Sequence, residues 1–316
     1  MSLKTSFSIK SVEFKNRVFV ASGTFGYGDE VGDAVDVNSL GAIVTKSLSL
    51  KPRAGNPPRR ITETPSGMLN SIGLANIGVE KFIQEKLPYL RTLKTSVIAN
   101  IAASSVDEYC RVLQLLDAED GIAGYEINVS CPNVKEGGLS FGTDTKKVRE
   151  ITEKLRALTE RPLLIKLTPN VTHISEFARV AEEAGADAIS AINTLVGMAV
   201  DLRTRKPKLS TVTGGLSGPA IKPVALAKVY EIVQAVSIPV IGIGGIASAD
   251  DALEFLIVGA VAVQIGTMNF VDPSAAITIA KGIEDYANRQ GYNDVGDLIG
   301  TLDANIEFSP LHSWLH

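Results

Sequence analysis

Eight short runs dominated by valine, isoleucine and alanine recur along the chain, most of them separated by stretches with helical periodicity. They are VFVASG (Val18 to Gly23), AIVTKS (Ala42 to Ser47), SVIANIA (Ser96 to Ala102), YEINVS (Tyr125 to Ser130), PLLIKLT (Pro162 to Thr168), AISAIN (Ala188 to Asn193), PVIGIGG (Pro239 to Gly245) and AVQIGT (Ala262 to Thr267). Strands of a parallel sheet covered by helices read this way, because both faces of each strand are buried. Segments such as DTKKVREITEKLRALTE and ISEFARVAEEAGA are amphipathic, and the second ends at a glycine suited to stopping a helix. Eight strands, seven intervening segments and a closing helix fit an α/β fold of the (β/α)8 TIM barrel type better than a doubly wound sheet. The 316 residues could make two average domains, but no internal repeat or linker divides them, so residues 1–316 read as one barrel domain.

Two long intervals carry insertions: KPRAGNPPRRITETPSGMLNSIGLAN after strand two and TLVGMAVDLRTRKPKLSTVTGGLSG after strand six. A glycine-rich stretch, NVKEGGLSFGTD, follows strand four. All three leave the carboxyl ends of strands, where the active-site loops of a barrel lie. The N-terminal SFSIKSVEFKN alternates like a small hairpin and is expected to cover the opposite mouth.

Composition narrows the partners. A formal net charge of −4 gives no broad basic surface, which argues against nucleic acid or anionic membrane. The N-terminus lacks a signal peptide's apolar core and no run of about 18 apolar residues occurs, so a cytoplasmic protein is expected. Two cysteines, Cys110 and Cys131, cannot supply the four thiolates of an iron–sulfur cluster.

The carboxyl ends of the runs are unusually polar. They hold Ser22, Lys46, Ser47, Asn100, Asn128, Ser130, Cys131, Lys166, Asn193 and Thr194. A single Lys or Asn at a strand end usually faces a loop; two lysines and three asparagines at equivalent positions point to a polar ligand. Gly242-Ile-Gly244-Gly245-Ile-Ala247 matches a dinucleotide fingerprint, but the next strand ends in Gly266-Thr267 with no acid to hold a ribose, so that reading is rejected. Glycines after strands seven and eight, with a helix starting near SADDA, instead suit a phosphate held by backbone N–H groups and a helix N-terminus.

A phosphate at that place belongs to a sugar phosphate or to flavin mononucleotide. Lys166 favours the flavin, because a cation beside N1 and the C2 oxygen stabilises the anionic reduced ring; a Schiff-base lysine is the rival. Amides in NSIGLAN (Asn70 to Asn76) can donate and accept in one plane, which suits a ring with alternating N–H and C=O groups. Cys131 follows strand four, precedes Pro132 and adjoins the glycine-rich loop, a poor place for a core residue and a good one for a general base. Cys110, inside the helical run DEYCRVLQLL, reads as packing.

NSIGLAN, EINVSCPN, IKLTPN, AIN before Thr194, GIGGI and VQIGT, in this order and over essentially the whole chain, resemble the class 1 dihydroorotate dehydrogenases. Within that class, Ile72 and NVSCPNV resemble the NAD-linked type B catalytic subunit more than the fumarate-reducing homodimer, which stands as the alternative. The membrane-bound class 2 enzymes differ in having an N-terminal helical extension and a serine base. The resemblance implies oxidation of dihydroorotate to orotate in pyrimidine biosynthesis, with one FMN per chain and no metal. It implies that Cys131 removes the C5 proton while hydride leaves C6 for flavin N5. Lys46, Asn70, Ser71, Ile72, Gly73, Leu74, Asn128, Asn193 and Thr194 would hold the pyrimidine and its carboxylate. Ser22, Lys46, Ser47, Asn100, Asn128, Lys166, Ile192, Gly218, Gly244, Gly245, Gly266 and Thr267 would line the FMN, with Ile192 and Gly218 resting on the resemblance alone. It further implies a homodimer core within a heterotetramer, whose second subunit carries FAD and a 2Fe–2S cluster; the C-terminal segment around Trp314 either meets that partner or packs on the barrel. Three other readings stay open: a flavin barrel acting on RNA or another dihydropyrimidine, a Schiff-base lyase using Lys166, and a non-catalytic barrel binding a nucleotide-like ligand.

Overall fold

Residue parity within the apolar runs organises the barrel. The computed structural model describes residues 3–31, 35–130 and 141–304. Its eight central strands are β1 (Val18–Val20), β2 (Ala42–Val44), β3 (Ser96–Ile101), β4 (Gly124–Asn128), β5 (Leu163–Leu167), β6 (Ala188–Ala191), β7 (Val240–Ile243) and β8 (Ala262–Ile265). They pair in parallel, in chain order, and close where β8 meets β1 with Val263 opposite Val18 and Ile265 opposite Val20. Phe19, Ala42, Val44, Ile98, Leu164, Ala188, Ile241 and Ala262 point inward and form one apolar cluster. Their neighbours Val18, Val20, Ile43, Val97, Ala99, Leu163 and Ile165 point outward, into the larger cluster shared with the helices.

The inward parity then turns polar. Asn100, Glu126, Lys166, Ser190 and Gln264 occupy inward positions of β3, β4, β5, β6 and β8, and none is more than 6% exposed. The barrel is thus filled in layers, apolar below and polar above. The ladder is shorter than the sequence runs suggest: β1 and β2 stop at Val20 and Val44, so ASG and TKS lie just beyond them as loop starts.

At the amino end, strands Phe7–Ile9 and Val12–Phe14 form the expected hairpin. Ile9 and Phe14 join the inward cluster, and the Phe14 ring lies 4.9 Å from that of Phe19, so the hairpin stoppers this mouth. Outside, helices bury one stripe each. Helix Val106–Asp117 is capped by the Ser105 side chain and buries Tyr109, Val112, Leu113 and Leu116, the spacing of a single face. Cys110 lies on it half-buried, and burial pushes its thiol up, as suits packing rather than reactivity.

The two long insertions do something the sequence did not reveal. Strands Ile61–Thr64 and Gly67–Asn70, after β2, combine with Leu195–Met198 and Thr213–Ser217, after β6, in one four-stranded antiparallel sheet. Gly215 lies opposite Asn70 on one side and Val196 on the other. The insertion expected after strand four falls on residues 131–140 and lies outside the described residues, as does the segment around Trp314. Among the described residues, no helix is long and apolar enough to cross a membrane.

Candidate active site

The centre of the site is a buried carboxylate. Glu126 Oε1 accepts from Asn100 Nδ2 at 2.7 Å and from Lys166 Nζ at 3.2 Å, while Oε2 accepts from Gln264 Nε2 at 2.7 Å. Four strands supply these groups, so the barrel itself fixes them. Asn100 Oδ1, Ser190 Oγ and Gln264 Oε1 are buried polar atoms with no partner among the described residues. Lys166, read from the sequence as a strand-end cation, is one half of a buried ion pair with Glu126.

Above this layer runs a chain of amides. Asn193 Nδ2 donates to Asn128 Oδ1 at 3.1 Å, Thr194 N–H donates to Asn193 Oδ1 at 2.8 Å, and Ser130 N–H donates to Asn128 Oδ1 at 3.2 Å. Tyr109 Oη donates to the Asn128 carbonyl at 2.7 Å and anchors the strand end from the helix layer. The Thr194 side chain packs against Gly215, where any Cβ would collide with it, and Asn70 Nδ2 donates to the Gly215 carbonyl. Asn70, Thr194, Asn193 and Asn128, expected to bind one ligand, are therefore joined through a glycine that the sequence gave no reason to single out.

Ser71, Ile72, Gly73 and Leu74 continue from Asn70 into a turn held by its own insertion. Asn56 Nδ2 donates to the Ser71 carbonyl, Asn56 N–H to the Ile72 carbonyl and Asn76 Nδ2 to the Leu74 carbonyl. No hydrogen bond among the described residues ties these four to Lys46 or Asn128. Lys46 stands half-buried just past β2; its N–H donates to the Gly26 carbonyl, and its ammonium has no ion pair or hydrogen bond among the described residues. Ser22 is half-buried and Ser47 buried beside it.

The far side of the mouth carries the glycine loops. Ile192 N–H donates to the Ile243 carbonyl, and a Cβ at Gly244 would lie 3.4 Å from Ile192, so these two positions touch. Gly218, at φ 93°, lies where an added Cβ would come 3.6 Å from Thr267, whose hydroxyl donates to Ser217 Oγ at 2.8 Å. The amides of Gly244, Gly245, Gly266 and Thr267 donate to no acceptor among the described residues. The helix near SADDA, expected to face a phosphate with an open N-terminus, carries a cap there. Helix Ala249–Ile257 is closed by a capping box of Ser248 and Asp251, and Asp251 Oδ2 also accepts from Ala247 N–H. Partial burial alone would raise the Asp251 carboxyl, but Lys222 and these amides hold it below the ordinary carboxylate range. A resident carboxylate already occupies that helix end.

What the mouth can take is a flat, phosphate-bearing ligand. A Cβ at Gly23 would meet nothing within 4 Å, and one at Gly266 only Ala21 at 3.8 Å and Thr24 at 4.0 Å, so the rim beside β1 and β8 is open to a ring. The donor-rich glycine loops suit a phosphate, and the orphaned side-chain polar atoms suit a heteroaromatic edge. Cys131 lies outside the described residues. Sequence reasoning missed Glu126, Gln264 and Gly215. The first two had a signal: a charged or amide residue at the inward parity of an otherwise apolar strand.

A family model described as Dihydroorotate dehydrogenase matches residues 3–286. The chain is 55% identical over 297 residues to a protein of Geotalea uraniireducens (strain Rf4) named Dihydroorotate dehydrogenase B (NAD(+)), catalytic subunit, covering 94% of this chain and 97% of that one. It is 56% identical to the same-named protein of Geotalea daltonii, with the same coverage. For that of Geobacter sulfurreducens the identity is 52%, over 94% of this chain and 98% of the other.

Proposed function

The chain belongs to the dihydroorotate dehydrogenase family, and on that premise we propose that it is the catalytic subunit of a cytoplasmic, NAD-linked type B enzyme. It oxidises dihydroorotate to orotate in pyrimidine biosynthesis. The observation that carries this reading is the amide chain from Asn70 through Gly215 and Thr194 to Asn193 and Asn128, set above the buried Lys166.

In this reading Asn70, Asn128, Asn193 and Thr194 orient the pyrimidine by its N–H and C=O edges, and Lys46 meets its carboxylate. The turn from Ser71 to Leu74 closes over the ring. Cys131 takes the C5 proton, so that the C5–C6 double bond forms as hydride leaves C6. FMN, when bound, supplies the acceptor for that hydride. Ser22, Ser47, Asn100, Lys166 and Ile192 would hold the ring system, and the amides of Gly218, Gly244, Gly245, Gly266 and Thr267 its phosphate. Onward transfer to NAD falls to a second subunit carrying FAD and a 2Fe–2S cluster, whose ordinary set of four thiolates a chain with two cysteines could not itself supply.

The test is an anaerobic visible spectrum of the purified chain before and after adding dihydroorotate. Bleaching of an oxidised flavin band is expected. A flavin band that dihydroorotate leaves unchanged would sink the substrate assignment, and a colourless chain with a borohydride-trappable Lys166 would restore the lyase reading.

Gly215 offers a finer check. Gly215→Ala drives a Cβ into the Thr194 side chain, an overpacking change worth about 1–3 kcal/mol. The dihydroorotate KM is expected to rise about tenfold while FMN affinity stays unchanged. Equal weakening of both would mean that Gly215 serves the fold alone.

A further inference from the structure

The mechanism leaves one buried ionised group without a role. Glu126 is 0% exposed, yet it sits in the polar layer directly beneath the mouth and receives donors from β3, β5 and β8. A buried ion pair is a poor source of stability, since well-packed apolar residues of similar size usually serve the fold as well. Simple satisfaction of hydrogen bonds does not explain the charge either. Gln264 Oε1 is without a partner among the described residues, so its amide could turn and accept from a neutral residue at position 126. What a carboxylate adds is a negative charge 3.2 Å from the Lys166 ammonium.

We propose that Glu126 is a positioning residue for the cofactor end of the site: it fixes Lys166 and Asn100 beneath the mouth, and its charge offsets that of Lys166 and so lowers the reduction potential of bound flavin. The first part concerns this chain alone; the second rests on the flavin reading above. The sign follows from charge. Two-electron reduction leaves a flavin anionic, an adjacent ammonium favours that state, and a carboxylate beside the ammonium opposes it. Lys166 therefore supplies directed hydrogen bonding with most of its net field cancelled. The half-buried Lys46 is then the strand-end lysine without an ion pair among the described residues.

The experiment is potentiometric titration of FMN bound to the wild-type and Glu126→Gln chains, with FMN affinity measured in parallel. Glutamine keeps the size and the acceptor for Lys166 and Asn100, and donates to the reversed Gln264 amide. The flavin redox equilibrium is expected to move toward the reduced form by about tenfold or more, about 30 mV for a two-electron couple. Glu126→Asp keeps the charge but is too short to reach all three donors; it should leave the potential near that of the wild type and weaken FMN binding about tenfold. An unchanged potential in Glu126→Gln overturns the electrostatic role, and unchanged FMN affinity in Glu126→Asp overturns the positioning role. A wild-type chain that takes up no FMN would instead sink the flavin reading. The pairing is then decided on the flavin-free chain by thermal unfolding, as it is if Glu126→Gln does not fold alone. Lys166→Met should lower the melting temperature, and adding Glu126→Gln should restore most of the loss; no restoration overturns the proposal.

Discussion

Replacing Cys131 by alanine is expected to leave FMN bound and to slow its reduction by dihydroorotate by about 10²-fold or more, the scale of a general base. Cys131 itself lies outside the described residues, but the strand that delivers it is well held. Tyr109 grips the Asn128 carbonyl, and the Asn128 side chain takes both the Ser130 amide and Asn193. The chain therefore leaves β4 at a fixed point, beside the amides proposed to orient the pyrimidine. None of the groups proposed to hold FMN is touched by the substitution, so affinity for the cofactor should not change. Because the thiolate is the base, and free thiols ionise near about pH 8.5, wild-type reduction should speed up as pH rises toward that value. Anaerobic stopped-flow measurement of flavin bleaching across pH tests both points. Wild-type rates in the alanine variant would move the base elsewhere.

Lys166→Met should act on stability and on the cofactor together. It leaves the Glu126 carboxylate buried without its ion-pair partner, a change that typically costs about 3–5 kcal/mol. It also removes positive charge from the flavin site while leaving the negative charge, so the potential of any FMN still bound should fall. Denaturant unfolding of the flavin-free variant and redox titration of the loaded one measure the two effects separately. Normal stability would mean that Asn100 and Gln264 alone suffice for Glu126. An unchanged potential would mean that Lys166 lies away from the redox-active ring.

The barrel was legible because parallel strands covered on both faces have to be continuous apolar runs, and all eight runs became strands. The polar residues at their carboxyl ends stood out too, and hydrogen bonds join Asn128 to Asn193 and both Asn100 and Lys166 to Glu126. Strand ends were read three residues too long at VFVASG and AIVTKS, where the ladder gives way to loop at Val20 and Val44. Glu126 was passed over because attention fell on the ends of the runs, whereas an inward residue in mid-strand can only be recognised once parity is assigned to the whole barrel. The helix at Ala249–Ile257 misled because SADDA reads equally well as an open N-terminus and as one closed by its own acid. The joining of two insertions was beyond reach, since pairing between strands 145 residues apart at Asn70 and Gly215 depends on where the barrel points them.

That joined sheet has a consequence for how the rim can move. β2 and β6 stand opposite each other in an eight-strand ring, and the sheet ties a loop from one to a loop from the other. Asn70 on the first loop and Gly215 on the second share a ladder position and a hydrogen bond, so neither insertion can shift there without drawing the other with it.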